Sequence, residues 1–217
     1  MATPDPLQTA RLQMVAEQLE HRGIHDANVL AAMGKVRRDV FVPKEQQANA
    51  YRDGALALDH GQTISQPYIV ALMTQALELT GNETVLEIGT GSGYQCAVLC
   101  ELARWVTSVE RHEELSNQAA AALKTLGYTN YTLVVGDGTY GWRELAPYDR
   151  IMVTAAAQRM PQALFDQLRE GGILVIPLGP TEDQALQAIK RINGQPSLRE
   201  LSPCRFVPLV GSEEPRW

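Results

Sequence analysis

The sequence of 217 residues carries 19 Lys and Arg against 25 Asp and Glu, a formal net charge of −6 and a pI near 5.3. Such an acidic chain is a poor non-specific binder of nucleic acid, and no apolar run approaches the ~20 residues of a membrane span. The first residues do not combine a basic segment with an apolar core, so the sequence predicts no secretory signal and a cytoplasmic protein.

The three cysteines predict neither a disulfide framework nor a metal centre. An odd number of cysteines without a secretory signal suits a reducing compartment. Cys96 and Cys100 are four residues apart in a predicted helix, where we expect small, buried and reduced side chains. A zinc site would require ligands with a different spacing, so the sequence predicts no metal site.

The first 60 residues predict a helical cap over a binding face. Residues 6–22 have the pattern of a helix that stops at Gly23, and Asp26 is placed to cap a second helix. Residues 40–42, which are β-branched and aromatic and precede Pro43, predict an extended segment.

A polar loop follows the predicted cap. Residues 59–68 read DHGQTISQPY and lead into a predicted helix at residues 69–79. Thr63 and Ser65 lie in this loop, and each hydroxyl could cap the helix or stabilise the turn. From these residues alone, a structural role is the favoured interpretation.

The segment TVLEIGTGSGYQ predicts a strand, a glycine turn and a helix. Thr84–Ile88 is an apolar run of the kind found in buried parallel strands, and the following helix is predicted at Tyr94–Leu102. Gly89, Gly91 and Gly93 between them permit positive φ and the close approach of another group. This order is typical of the first unit of a nucleotide-binding domain, and a tight turn without a ligand is the alternative.

Two carboxylates make a ligand the better interpretation. Glu87 lies within the apolar strand, where a carboxylate is costly unless it is paired, and where it would suit a cationic ligand. Glu110 ends the next predicted strand, 21 residues after Gly89, close to the roughly 20 residues at which an acidic group reaches ribose hydroxyls. The pattern is similar to that of S-adenosylmethionine-dependent methyltransferases of the Rossmann-like class, with nicotinamide dehydrogenases as the alternative.

The remainder continues as alternating strands and helices. Asp137, between two glycines after the third strand, could form a turn or bind an adenine amino group. Asn193-Gly194 is a strong signal for a two-residue hairpin. We therefore expect one α/β domain over residues 1–217, a mostly parallel, doubly wound sheet with helices on both faces and a C-terminal antiparallel hairpin. The predicted elements are strands at 105–109, 131–135, 148–153, 173–176, 185–192 and about 198–209, and helices at about 112–126 and 161–168.

Taken together, residues 14–210 resemble the protein-L-isoaspartate (D-aspartate) O-methyltransferases. The sharpest similarity is GQTISQPYIVALMTQALEL, in which the family has a serine that matches Ser65. The segments VLEIGTGSGYQCAVL, SVER, GDGTYGW, APYDRIMVTAAA, LREGGILVIPLG and RFVPLVG match in the same order. The chain departs from the family pattern at Arg37 and at Gln158, where the family usually has proline. Gln158 falls in a loop that we expect to border the substrate, so the departure puts peptide preference in doubt.

The resemblance implies transfer of a methyl group from S-adenosyl-L-methionine to the free α-carboxyl of L-isoaspartyl residues in damaged proteins, leaving S-adenosyl-L-homocysteine. Activity on D-aspartyl residues stays open. The product ester should close to a succinimide, and hydrolysis then returns some normal aspartate. The resemblance thus implies a protein-repair enzyme, expected to be a monomer that binds neither nucleic acid nor membrane. A small-molecule methyltransferase, a nicotinamide oxidoreductase and an inactive binding module are the alternatives.

The same resemblance implies the residues of the site. Ser65 would orient the acceptor carboxylate, and Glu110 would bind the ribose hydroxyls with Arg111 beside it. Asp137 and Gly138 would lie on the adenine side. The other implied cofactor residues are Gln62, Thr63 and Ile64, which would close over the ligand, Gly89 and Gly91, which would approach its methionine portion, and Glu87, which would orient that portion directly or through water.

Overall fold

The computed structural model describes residues 5–57 and 61–211, so Asp59 and His60 of the predicted loop and both ends of the predicted domain lie outside the described residues.

The described part of the chain begins with a continuous helical run. It comprises α1 (Pro6–Gln13), a π-helical stretch (Met14–Leu19) and a 3-10 turn (Glu20–Arg22). The run ends at Gly23 with φ of +91°, which confirms the predicted stop.

The second predicted helix is α2 (Ala27–Lys35), and its cap is confirmed because the Asp26 carboxylate accepts from two backbone N–H groups of the first turn. The extended segment predicted at residues 40–42 is wrong at its first two positions, which belong to a 3-10 helix, Arg38–Phe41. The buried Arg38 donates from Nε to the carbonyl of Ala50 at 2.7 Å, and this long-range contact holds the turn against the local β propensity.

The rest of the fold is built on a seven-stranded sheet, whose strands lie in the order β5-β4-β3-β6-β7-β8-β9. The first five strands in that order are parallel, and β8 and β9 are antiparallel, which confirms the predicted class. A separate short pair, β1 (Leu56–Ala57) and β2 (Thr63–Ile64), precedes the sheet. The sheet strands are β3 (Thr84–Ile88), β4 (Trp105–Glu110), β5 (Tyr131–Val135), β6 (Tyr148–Val153), β7 (Leu168–Leu178), β8 (Gln184–Ile192) and β9 (Gln195–Cys204).

The helices of this region are α3 (Pro67–Ala76), α4 (Tyr94–Leu102), α5 (Glu113–Thr125) and α6 (Gln162–Phe165). Several bounds differ from the predicted ones. The helix α6 is one turn long and ends before β7, which begins five residues earlier than expected and contains the glycine pair at 171–172. The hairpin is confirmed by φ of +52° at Asn193 and +76° at Gly194, but its second strand ends at residue 204 rather than 209.

The sheet has a hydrophobic cluster on each face. Along β3, Val85 belongs to one cluster and Leu86 and Ile88 belong to the other, as the alternation of side chains in a strand requires. The first cluster includes α2, α3 and α4, and the second includes α6. In the part of the chain that the structure describes, no helix has the length and apolar character to cross a bilayer.

The parallel strands bring their carboxyl ends to one edge of the sheet. At this edge β3 leads into Gly89, β4 ends at Glu110, and β6 leads into Thr154. In open α/β sheets, ligands bind in the crevice at this edge, so the topology predicts where a site should lie.

Candidate active site

A cavity of about 390 Å³ lies at this edge of the sheet. Five short segments form most of its wall, and they come from widely separated parts of the sequence. These segments are residues 62–66, 89–92, 110–112, 154–155 and 203–210. All the predicted site residues line the cavity except Glu87 and Asp137.

The glycine turn needs its first two glycines for different reasons. Gly89 has φ of +93°, and a Cβ there would collide with the hydroxyl of Thr154, which donates to the Gly89 carbonyl at 2.7 Å. Gly91 has φ of +53°, but a Cβ there would meet no atom of the described residues within 4 Å. Packing against the protein therefore explains Gly89, whereas Gly91 leaves open a space beside the backbone in the cavity wall.

Glu110 ties two turns together at the cavity wall. Its side chain is buried, with Oε2 accepting from the Gly91 N–H at 2.9 Å and Oε1 accepting from the His112 N–H at 3.0 Å. Each carboxylate oxygen has more than one lone-pair direction, so both retain capacity for a ligand hydroxyl. Arg111 follows directly and also lines the cavity.

Glu87 is fully buried and does not reach the cavity. Ser108 donates to its Oε2, and the Ser108 hydroxyl lies 2.6 Å from the hydroxyl of Thr90 in the glycine turn. Its Oε1 accepts no hydrogen bond from the described residues. Burial raises the pKa of Glu87 to about 8, although the hydrogen bond from Ser108 acts to lower that pKa. Glu87 is thus paired with the Ser108 hydroxyl rather than with a cation, and a pKa near 8 favours the neutral form of its carboxyl at pH 7.

Asp137 has a structural task in the turn after β5. Its Oδ1 accepts from the Thr139 N–H at 2.9 Å and from the Thr139 hydroxyl at 2.6 Å, which caps the turn Gly138–Tyr140. Gly138 itself lines the cavity, and a Cβ there would collide with Ile88. The adenine contact of Asp137 and Gly138 therefore stays a prediction.

Ser65 lies between two fixed elements. The preceding Ile64 is buried and belongs to β2, and the following Gln66 precedes α3. Ser65 is half-buried. It lines the cavity, and Gln62 and Thr63 line it as well. The loop therefore brings Ser65 to the wall of the same cavity as the glycine turn and Glu110.

Sequence reasoning gave no site role to residues 203–210, which it placed mainly in a strand. Its first two residues end β9, and beyond Cys204 the segment leaves the sheet and runs beside the turn after β6. Ala156 donates to the carbonyl of Val207 at 2.8 Å and accepts from the N–H of Leu209 at 2.7 Å. The Gln184 side chain bonds both backbone groups of Phe206. The match of RFVPLVG to the family was the one signal that this segment has a special conformation.

The two departures from the family pattern lie away from the cavity wall. Gln158 is exposed and does not line the cavity, although residues 154–155 of the same loop do. Arg37 is exposed and pairs with Asp39 at 2.8 Å. The first residues of the loop that contains Gln158 thus line the cavity and Gln158 itself does not, and contact of this loop with substrate stays a prediction.

Over residues 5–57 and 61–211, no group of three or more His, Cys, Asp and Glu side chains is arranged to hold a metal ion. Cys96 and Cys100 are free and buried, as the sequence predicts. A hydrogen bond with Cys100 and burial both raise the pKa of the Cys96 thiol, so it stays protonated.

Comparisons with known proteins agree on one family. The family model described as Protein-L-isoaspartate(D-aspartate) O-methyltransferase matches residues 10–214. Relatives named protein-L-isoaspartate O-methyltransferase include one from Opitutus terrae, 55% identical over 92% of this chain and 86% of the relative. Another, from Dictyoglomus turgidum, is 52% identical over 91% of this chain and 90% of the relative.

Two solved structures are similar over nearly the whole chain. One, named protein-L-isoaspartate O-methyltransferase, has a TM-score of 0.82 at 29% identity and covers 93% of this chain, which spans 66% of its length. The other, from Plasmodium falciparum, is named as a candidate enzyme of this kind in complex with S-adenosyl-L-homocysteine. It has a TM-score of 0.80 at 26% identity, over 92% of this chain and 98% of that one. The chain belongs to the protein-L-isoaspartate (D-aspartate) O-methyltransferase family.

Proposed function

We propose that this chain transfers a methyl group from S-adenosyl-L-methionine to the free α-carboxyl of L-isoaspartyl residues in damaged proteins and peptides. The observation that carries the proposal is the shared cavity. Residues of the glycine turn, Glu110 and Ser65 line this one space at the carboxyl edge of the sheet.

The residues of the cavity fit the cofactor. Gly91 leaves room for a ligand beside its backbone, and Glu110 retains acceptor capacity for the two ribose hydroxyls. When bound, S-adenosyl-L-methionine supplies an activated methyl group on its sulfonium. The further residues that we assign to cofactor binding are Gln62, Thr63 and Ile64 of the loop, Gly89, Arg111, Asp137 and Gly138. We assign Glu87 a supporting role through Ser108 and Thr90, because it lies behind the turn.

The acceptor requires little chemical activation. A carboxylate is already ionised at pH 7, so no general base is needed. The chain must instead align the carboxylate with the methyl group and exclude water, and well-oriented reactants gain roughly 7–11 kcal/mol in this way. We assign Ser65 as the donor that orients the carboxylate, because a hydroxyl can direct the anion without holding it as firmly as a basic group.

We further propose that the chain acts as a single cytoplasmic domain and as a monomer, with residues 1–60 as its cap, and that it does not bind nucleic acid. Contacts between the cap and the rest of the chain support the single domain. Gln75 of α3 accepts from the N–H groups of His25 and Asp26, and Lys35 of α2 pairs with Glu101 of α4 at 2.7 Å.

The test of the activity is methyl transfer to two peptides that differ only in aspartyl or isoaspartyl linkage. With tritiated S-adenosyl-L-methionine, we expect label only on the isoaspartyl peptide, as a base-labile ester. Equal labelling of both peptides, or no labelling of either, would contradict the proposal. Binding of NADH, followed by its fluorescence, would instead favour a nicotinamide oxidoreductase.

The role of Ser65 has its own test. We expect Ser65→Ala to slow single-turnover methylation roughly 10- to 100-fold at saturating cofactor. This effect is smaller than the loss of one donor causes in an oxyanion site, because here the charge on the carboxylate falls during transfer. Cofactor affinity should barely change, and Ser65→Thr should retain part of the rate if the loop has room. A full rate with a lowered melting temperature would show that Ser65 only holds the loop.

A further inference from the structure

Four side chains from three segments meet beside the loop that carries Ser65. Asp53 Oδ1 accepts a hydrogen bond from Gln66 Nε2 at 2.7 Å. The two carboxylate oxygens of Asp53 lie 3.2 and 3.1 Å from Arg22 Nη1. The Arg22 guanidinium lies over the ring of Tyr68, 3.8 Å from its centroid. We call these four residues the Asp53 clamp.

The clamp connects the cap to the start of α3. Arg22 ends the first helical run, and Asp53 lies in the turn before β1, so both belong to the cap. Gln66 and Tyr68 lie at the N-terminal end of α3. Since Ser65 directly precedes Gln66, their Cα atoms are only about 3.8 Å apart. A displacement of the Gln66 backbone would therefore move Ser65 as well, and that backbone is also held by the N–H of Val70, which donates to the Gln66 carbonyl at 3.1 Å.

Ser65 is held on both sides, and the two supports differ. On its N-terminal side, Ile64 pairs with Leu56 in the β1–β2 ladder. On its C-terminal side, the side-chain support is the hydrogen bond from Gln66 to Asp53. We propose that Asp53 is a positioning residue for methyl transfer, which fixes Gln66 and thereby aims the Ser65 hydroxyl at the acceptor carboxylate. This inference rests on the proposed role of Ser65.

The clamp is suited to positioning rather than to stability. The side chains of Arg22 and Asp53 are 40% and 45% exposed, and ion pairs this exposed typically contribute about 0–1 kcal/mol to folding. Misplacement of a reacting group by about 1 Å can nevertheless cost on the order of 100-fold in rate. The expected signature is therefore a slower chemical step in a protein that unfolds at nearly the same temperature.

The experiment measures single-turnover methylation of an isoaspartyl peptide at saturating S-adenosyl-L-methionine. We expect Asp53→Ala to be about 10-fold slower than the unchanged chain, with cofactor affinity and melting temperature almost unaltered. Asp53→Asn keeps an acceptor for Gln66 and loses only the ion pair with Arg22. Its rate should therefore lie between that of the unchanged chain and that of Asp53→Ala. Glu78→Gln is the control, because it removes another exposed ion pair, with Arg199 at 3.9 Å, and neither residue lines the cavity.

A double variant separates positioning from a general effect on the fold. If Asp53 acts through Ser65, Asp53→Ala should not slow a Ser65→Ala enzyme further. The inference is overturned if Asp53→Ala keeps the full rate while Ser65→Ala is slow, or if Asp53→Ala slows both backgrounds by the same factor. A full rate in Ser65→Ala alone would refute the proposed role of Ser65 and the inference together, so the two failures are distinguishable.

Discussion

Replacing Glu87 with glutamine should remove the pH dependence that this buried carboxyl gives to folding. Burial raises the pKa of Glu87 from 4.5 to about 8 in the folded chain. Between these pH values the unfolded chain loses the proton while the folded chain keeps it, so wild-type stability falls as pH rises. The amide side chain of the Glu87→Gln variant is neutral at every pH and would still offer an oxygen to Ser108.

The magnitude follows from the size of the shift. Each pKa unit corresponds to about 1.4 kcal/mol, and both forms are partly titrated at the ends of the range, so the wild type should lose about 3.5 kcal/mol relative to Glu87→Gln between pH 5 and pH 8. For a chain of this length that is a relative change in Tm of roughly 7–14 °C. The assay is thermal or urea unfolding of both proteins across this range without cofactor, where other titrating groups cancel in the difference.

A second buried glutamate supplies the matched control. Burial acts to raise the pKa of Glu83, but hydrogen bonds from Thr80 and neighbouring backbone N–H groups outweigh it and leave the pKa lowered. The contribution of the Glu83 carboxylate to the free energy of unfolding is complete above the pKa that Glu83 has in the unfolded chain. It is lost only as the pH falls below that value. The difference between wild type and Glu83→Gln should therefore be constant from pH 5 to pH 8. A constant difference for Glu87→Gln as well would refute a neutral carboxyl at Glu87.

The other predictions concern the cavity wall. Glu110→Ala removes the carboxylate that joins the glycine turn to the next turn, and we expect cofactor affinity to fall by about 1.5–3 kcal/mol, as measured by calorimetry. Unchanged affinity in a folded variant would count against the ribose assignment. Gly91→Val places a branched side chain in open space at positive φ, so binding should be lost with a stability cost of only about 1–2 kcal/mol. A collapse of thermal stability without ligand would show that Gly91 is structural.

The alternating part of the fold could be predicted from sequence because its signals are local. The strand β3, the glycine turn and α4 follow from adjacent residues, and the bounds of β3 and α4 agree with the prediction. The hairpin follows from Asn193 and Gly194, which are the residue types that a turn with two positive φ values requires. No distant contact was needed to recognise either element.

The errors occur where distant residues decide the local structure. The 3-10 turn at Arg38 depends on a bond to Ala50, and the path of residues 203–210 depends on bonds to Ala156. Neither partner is visible in a local pattern. The sequence showed that a buried Glu87 needs a partner and favoured a cationic ligand, whereas Ser108 as its partner could be known only once β3 and β4 were in register, where these two residues lie side by side.

The wall formed by residues 203–210 has a consequence for the order in which the protein is made. Translation releases residues 62–66 and 89–92 early, and the parallel strands can all form from residues up to 178. A nascent chain that ends before residue 203 nevertheless lacks one side of the cavity. A ribosome that stalls in β8 or β9 therefore leaves a chain with the glycine turn open to water. We therefore expect methyl transfer only from chains that extend past residue 210.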